Sequence, residues 1–162
     1  MTDTIKVAVI GAGMMGKNHL KTYKGLNGVE LVGVYDIFPE ACKAAAETFG
    51  IKAFSSLEEV AENVDAVSVV TTSVTHAEVG EFFLNRGIHC LMEKPLATTE
   101  AECQRLISAA KNNNVTLLVG HIEQFNPAVE QMHKILSDTS KICSLTAQRM
   151  SACLLYTSDA AD

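Results

Sequence analysis

No stretch of this chain approaches the length of a membrane span, and no cluster of lysines and arginines stands ready to neutralise phosphates. The first absence argues against an integral membrane protein. The second, with a formal charge of −6, excludes nucleic acid as an expected partner. The N-terminus MTDTIKVAVIG lacks a signal peptide's basic start, long apolar middle and small-residue cleavage site, and runs straight into a strand pattern. The five cysteines, Cys42, Cys90, Cys103, Cys143 and Cys153, never form a C-x-x-C pair, and no clustered ligand set accompanies them. No metal site is therefore expected. A reducing cytoplasm, with most thiols buried as small apolar groups, fits this usage. What the chain does have is 162 residues, 48% hydrophobic and 20% charged. That is enough to bury a core in one domain of ordinary size.

Apolar runs of strand length alternate with helix-periodic segments. Strands are expected at 5–11, 29–36, 52–56, 65–72, 88–95 and 115–121, and helices at 14–26, 39–50, 57–63, 76–87, 100–114 and 127–138. Pro39 and Gly50 bracket one helix in the usual order. Ser56 with Glu59, and Thr99 with Glu102, have capping-box spacing. Repeated strand–helix units with β-branched strands imply an α/β fold, a Rossmann-type doubly wound parallel sheet covered on both faces. The segment 141–151 is strand-like without a following helix, as if it opened a second α+β domain. The expected division is therefore a dinucleotide-binding domain over 1–138 and the start of another over 139–152.

The stretch VAVIGAGMMGKNHL places Gly11, Gly13 and Gly16 as G-x-G-x-x-G between a strand and a helix. Gly11 would make the tight turn, Gly13 would let a pyrophosphate approach the backbone, and Gly16 would let the helix pack on the strand. The helix start offers N–H groups and partial positive charge to phosphates. Ala12, Met14 and Met15 fill the loop. Asp36 ends the second strand, where a carboxylate accepts bonds from the adenosine ribose and repels a 2′-phosphate. Ile37 follows, with no arginine nearby, so NAD is expected over NADP.

Two more stretches lie where ligands bind in open α/β sheets: MEKPLA, with Glu93, Lys94 and Pro95, and VGHIEQFNPAV, with His121 and Asn126. With the glycine loop, they make residues 5–151 resemble the Gfo/Idh/MocA oxidoreductases. These are NAD(P)-dependent enzymes of sugars, nucleotide sugars and cyclitols. The segment GHIEQFNPAV is most similar to the UDP-N-acetylglucosamine 3-dehydrogenase branch. The resemblance implies that Lys94 is the catalytic lysine, reaching the substrate hydroxyl and nicotinamide ribose, with Glu93 as a positioning group. The Lys94–Pro95 bond is open to a cis form. Thr71, Thr72 and His76 match the loop beside the cofactor, although many relatives carry proline where Thr72 stands. His76 is read either as a ribose contact or as an ordinary first-turn helix residue. His121 lies toward the nicotinamide end, and Asn126 N-caps the next helix. Gln124 replaces an arginine common in relatives, which weakens any role carried over to that position. His19, His89 and His133 are read as structural.

Relatives are about twice as long and usually place an acid/base histidine, much of the sugar pocket and the dimer surface in a second domain. The last ten residues, CLLYTSDAAD (153–162), match nothing in the family. They resemble a translated sequencing adapter, a non-native tail. The expected function is an NAD-dependent dehydrogenase of a small-molecule sugar or nucleotide sugar, homo-oligomeric when complete, with this chain an inactive fragment. The alternatives are a non-catalytic NAD-binding module and a dehydrogenase of inositol or another polyol.

Overall fold

A computed structural model describes residues 4–136 and residue 146. Six strands, β1 (Ile5–Ile10), β2 (Val29–Tyr35), β3 (Lys52–Ala53), β4 (Ala66–Val69), β5 (His89–Met92) and β6 (Leu117–Val119), alternate with helices. The helices are α1 (Met14–Lys24), α2 (Pro39–Phe49), α3 (Leu57–Ala61), α4 (Ser73–Leu84), α5 (Glu100–Asn112) and α6 (Pro127–Ile135). A 3₁₀ turn, Ile122–Phe125, precedes α6. All strand pairs are parallel, in the order β3-β2-β1-β4-β5-β6. The order reverses between β1 and β4, which opens a crevice at the carboxyl ends of those strands.

Strand alternation explains the two faces. On β1, Val9 joins Leu20 of α1, Val34 and the α2 residues Cys42, Ala45 and Ala46 in one core. Its neighbours Ala8 and Ile10 join Val67, Val69, Phe83, Leu84, Met92 and Leu106 in the other. Each fully buried Phe or Leu contributes about 1.5–3 kcal/mol, so the sheet is stapled from both sides. Ser68 is buried in β4, and its hydroxyl is satisfied by the Tyr23 hydroxyl of α1 at 2.7 Å.

The caps follow the sequence with one variation. Thr99 and Glu102 form the full reciprocal box at α5. At α3, Ser56 accepts the Glu59 N–H, but the Glu59 carboxylate takes the Ser55 N–H at 2.8 Å and Lys52 Nζ at 2.6 Å. The Lys52 bond and then the Ser55 bonds hold its pKa down to about 2. α4 begins at Ser73, three residues ahead of the expected start, with Thr72 extended at the N-cap. That shift places His76 inside the helix instead of at its first residue.

The chain forms two compact units, through Gly120 and from His121 onward. The break precedes the boundary expected at 138 because β6 ends the sheet at Val119. In the second unit Asn126 caps α6 by accepting the Ala128 N–H at 3.0 Å, as its sequence position suggests. The strand expected at 141–151 and the tail at 153–162 lie outside the described residues, Thr146 excepted. Among the described residues, no helix is long and apolar enough to cross a membrane.

Candidate cofactor site

The β1–α1 connection is built by two close approaches. Gly11 has φ +107°, and a Cβ there would fall 2.5 Å from the Val70 carbonyl oxygen. A Cβ on Gly16 would run into the Gly11 carbonyl. Only glycines allow strand, turn and helix this close. Gly13 differs: a Cβ there meets nothing within 4 Å, so the protein leaves that space open. Gly13 is also the N-cap of α1, with no side-chain cap and no acidic residue in the first turn. An uncapped helix start beside open space suits an anionic group. Met14 and Met15 are exposed on that first turn, and Ala12 is buried.

Asp36 does more than end β2. Its Oδ2 accepts the Ala12 N–H at 2.6 Å and its Oδ1 accepts the Phe38 N–H at 2.8 Å. The carboxylate thus ties the glycine loop to the β2–α2 loop. It keeps spare acceptor capacity, since a carboxylate offers about four lone-pair sites. Ile37 and Phe38 beside it are 74% and 67% exposed. Two large apolar side chains left in water next to this acid would suit the flat face of a base.

At the end of β5 the Lys94–Pro95 bond is cis. Glu93 Oε2 accepts the Lys94 N–H at 3.2 Å, and Glu93 Oε1 meets His19 Nε2 of α1 at 3.0 Å. The sequence alone left His19 without a partner. Its signal was positional, because Gly16, His19, Leu20 and Tyr23 share the inward stripe of α1.

His76 lies inside α4 and not at its first residue. It is 1% exposed, with Nδ1 2.8 Å from the Pro95 carbonyl oxygen and Nε2 3.1 Å from that of Thr71. Starting α4 at Ser73 carries His76 into the helix, where side chains lean back toward the N-terminus. The ring therefore joins the Thr71 loop to the Lys94 turn and presents no spare polar atom to a ribose. Thr71 is half-buried, its hydroxyl accepting from Thr75 at 2.9 Å, while Thr72 is exposed. His121 is exposed at the start of the second unit, its carbonyl accepting the Gln124 N–H. Among the described residues, no group of three or more His, Cys, Asp or Glu gathers to hold a metal.

A parallel sheet in this order, a glycine turn under an uncapped helix and an acid at the end of β2 define a dinucleotide-binding Rossmann domain. The model of the oxidoreductase family with an NAD-binding Rossmann fold matches residues 5–121. The chain belongs to this Gfo/Idh/MocA family. It is 34% identical over 130 residues to a UDP-N-acetylglucosamine 3-dehydrogenase of Acidithiobacillus ferrooxidans, covering 80% of this chain and 41% of that protein. A solved structure of an enzyme of that name and organism superposes with a TM-score of 0.77, at 34% identity over 81% of this chain and 41% of the other. GenD2 from gentamicin A biosynthesis, in complex with NAD, superposes at 0.81 with 27% identity, covering 89% and 42%. An inositol 2-dehydrogenase of Salmonella typhimurium is 30% identical, covering 82% and 41%. The chain thus spans about two fifths of the length of these relatives.

Proposed function

We propose that this chain is the cofactor-binding part of an NAD-dependent dehydrogenase that oxidises a secondary alcohol of a sugar or nucleotide sugar. The 3-hydroxyl of UDP-N-acetylglucosamine is the favoured target. One observation carries the reading. The glycine loop, Asp36 and the Glu93–Lys94–Pro95 turn all stand at the carboxyl edge of one parallel sheet, on strands β1, β2 and β5 around its switch point. Bound NAD supplies the hydride acceptor. The chain's own residues bind and orient. The α1 start takes the pyrophosphate, Asp36 takes the adenosine ribose and disfavours a 2′-phosphate, and Lys94 directs the substrate hydroxyl. An ammonium beside that hydroxyl lowers its pKa as the proton leaves. A second domain completes the sugar pocket and the homo-oligomer interface in the whole enzyme. Relatives about twice this chain's length support that division, and the cysteine usage supports a cytoplasmic setting. The substrate choice rests on the resemblance of GHIEQFNPAV and the 34% identity to the Acidithiobacillus enzyme.

Titration calorimetry with NAD and NADP tests the cofactor assignment. Asp36→Arg should weaken NAD and improve NADP, and an unchanged preference would overturn the role of Asp36. In a protein carrying this chain ahead of its substrate domain, Lys94→Ala should lower turnover far more than NAD affinity. Near-normal turnover removes Lys94 from the mechanism.

A further inference from the structure

We infer that His19 is a positioning residue for Lys94, acting through the Glu93 carboxylate. The inference rests on the reading of Lys94 given above. The two oxygens of Glu93 hold different partners. Oε1 meets His19 Nε2 at 3.0 Å, and Oε2 accepts the Lys94 backbone N–H at 3.2 Å. The side chains of His19 and Glu93 are only 15% and 12% exposed, so water competes poorly for the pair. A carboxylate accepts hydrogen bonds and does not donate them, so the proton between the two sits on Nε2. The carboxylate is also confined from the β6 side, where a Cβ on Gly120 would stand 3.0 Å from Oε1. The imidazole is backed by Tyr23, edge to face at 6.5 Å, and Tyr23 is anchored on Ser68.

A hydrogen bond serving only to fasten α1 to the sheet would not need the second Glu93 oxygen on the lysine amide. This one spans from the helix to the backbone of Lys94. His19 lies on the same helix whose uncapped start faces the open space at Gly13. The helix is a single rigid rod, so its phosphate end and its grip on the lysine turn move together.

The test uses the 162-residue chain and two ligands, NAD and ADP. ADP keeps the adenosine and both phosphates but lacks the nicotinamide and its ribose, the part that Lys94 is read as reaching. His19→Asn is too short to reach Glu93, whereas His19→Gln carries an amide N–H out to about the position of Nε2. His19→Asn should cut the preference for NAD over ADP about three- to tenfold, the worth of one net hydrogen bond. ADP affinity should hold, and His19→Gln should restore the preference. Glu93→Ala, cutting the link at its other end, should match His19→Asn. Lys94→Ala is measured alongside. If it lowers the preference and His19→Asn does not, the positioning role is overturned and the cofactor contact of Lys94 stands. If Lys94→Ala changes nothing, the contact of Lys94 with the nicotinamide ribose fails. Positioning is then decided by the Lys94 amide resonance, which must move in His19→Asn and return in His19→Gln. An amide resonance that stays put in both variants overturns the inference.

Discussion

Asp36→Asn separates the two roles given to one carboxylate. In the structure its oxygens accept two backbone N–H groups, of Ala12 and Phe38. Asparagine keeps one oxygen and turns an NH₂ toward the other donor. Ala12 is 3% exposed, so the oxygen should stay there and the conflict should fall on Phe38, where water can enter. Replacing a charge-assisted bond by a neutral one costs about 1 kcal/mol at Ala12, and losing the Phe38 bond to water costs about 1 more, so about 2 kcal/mol of stability should go. Asp36→Ala should cost about 1 kcal/mol beyond that, because the buried Ala12 N–H is then orphaned. Cofactor choice follows different physics. A 2′-phosphate of charge −2 about 5 Å from a carboxylate in water-like surroundings is repelled by about 1.7 kcal/mol, roughly twentyfold in affinity. Asp36→Asn should therefore raise the NADP-to-NAD affinity ratio roughly twentyfold at low salt, with less effect at high salt. Urea unfolding followed by circular dichroism reads the first effect. Calorimetry reads the second, since the chain has no tryptophan to report on binding. A loss of stability with no change in cofactor ratio would leave Asp36 as a loop tie and refute its role in cofactor choice. A changed ratio at full stability would refute the account of its two hydrogen bonds.

Other consequences are open to direct measurement. His76→Ala leaves a void and strands the carbonyl, of Thr71 or of Pro95, that accepts the ring N–H, so it should cost about 2–4 kcal/mol in urea unfolding; a loss under about 0.5 kcal/mol would mean that the two loops do not need the ring. Burial pushes the Cys90 thiol up to about 12. Peptide mapping after alkylation of the native chain at about pH 8 should therefore find Cys90 unmodified and, among the described cysteines, the half-buried Cys103 labelled first. Because Glu59 is held at about 2 against an ordinary 4.5, its contribution is fully present above about pH 4.5 and is lost as pH falls toward 2. Glu59→Gln should flatten that part of the pH–stability profile, and an unaltered profile would discount the Lys52 and Ser55 contacts.

Strands, caps and the glycine turn were legible in the sequence because each depends on neighbours close along the chain. The doubly wound sheet followed from β-branched runs set between helices, and Thr99 with Glu102 formed the box their spacing announced. The misread positions depend on partners outside their own element. Glu59 turned to Lys52 and Ser55 instead of the Ser56 amide, since a cation was in reach. His76 moved inward because Thr72 reads as a strand end but caps a helix that begins at Ser73. His19 meets Glu93 across 74 residues, a pairing no local pattern encodes, although its place on the inward stripe of α1 pointed toward the sheet. Asp36 was read as a ligand-facing acid, and the bond to Ala12 appeared only once β1 and β2 lay side by side.

The crowding of Gly16 on Gly11 and the openness around Ile37 and Phe38 bear on how such a protein can change. Gly11 and Gly16 tolerate almost no variation, since a carbon added at either lands on backbone. The two apolar residues after Asp36 belong to neither core and are mostly in water, so replacing them costs the fold little. Mutational drift at this site is thus channelled into one short loop. On the proposed reading of Asp36 and the α1 start, a lineage can retune which dinucleotide it accepts there while the crowded Gly11–Gly16 backbone stays frozen.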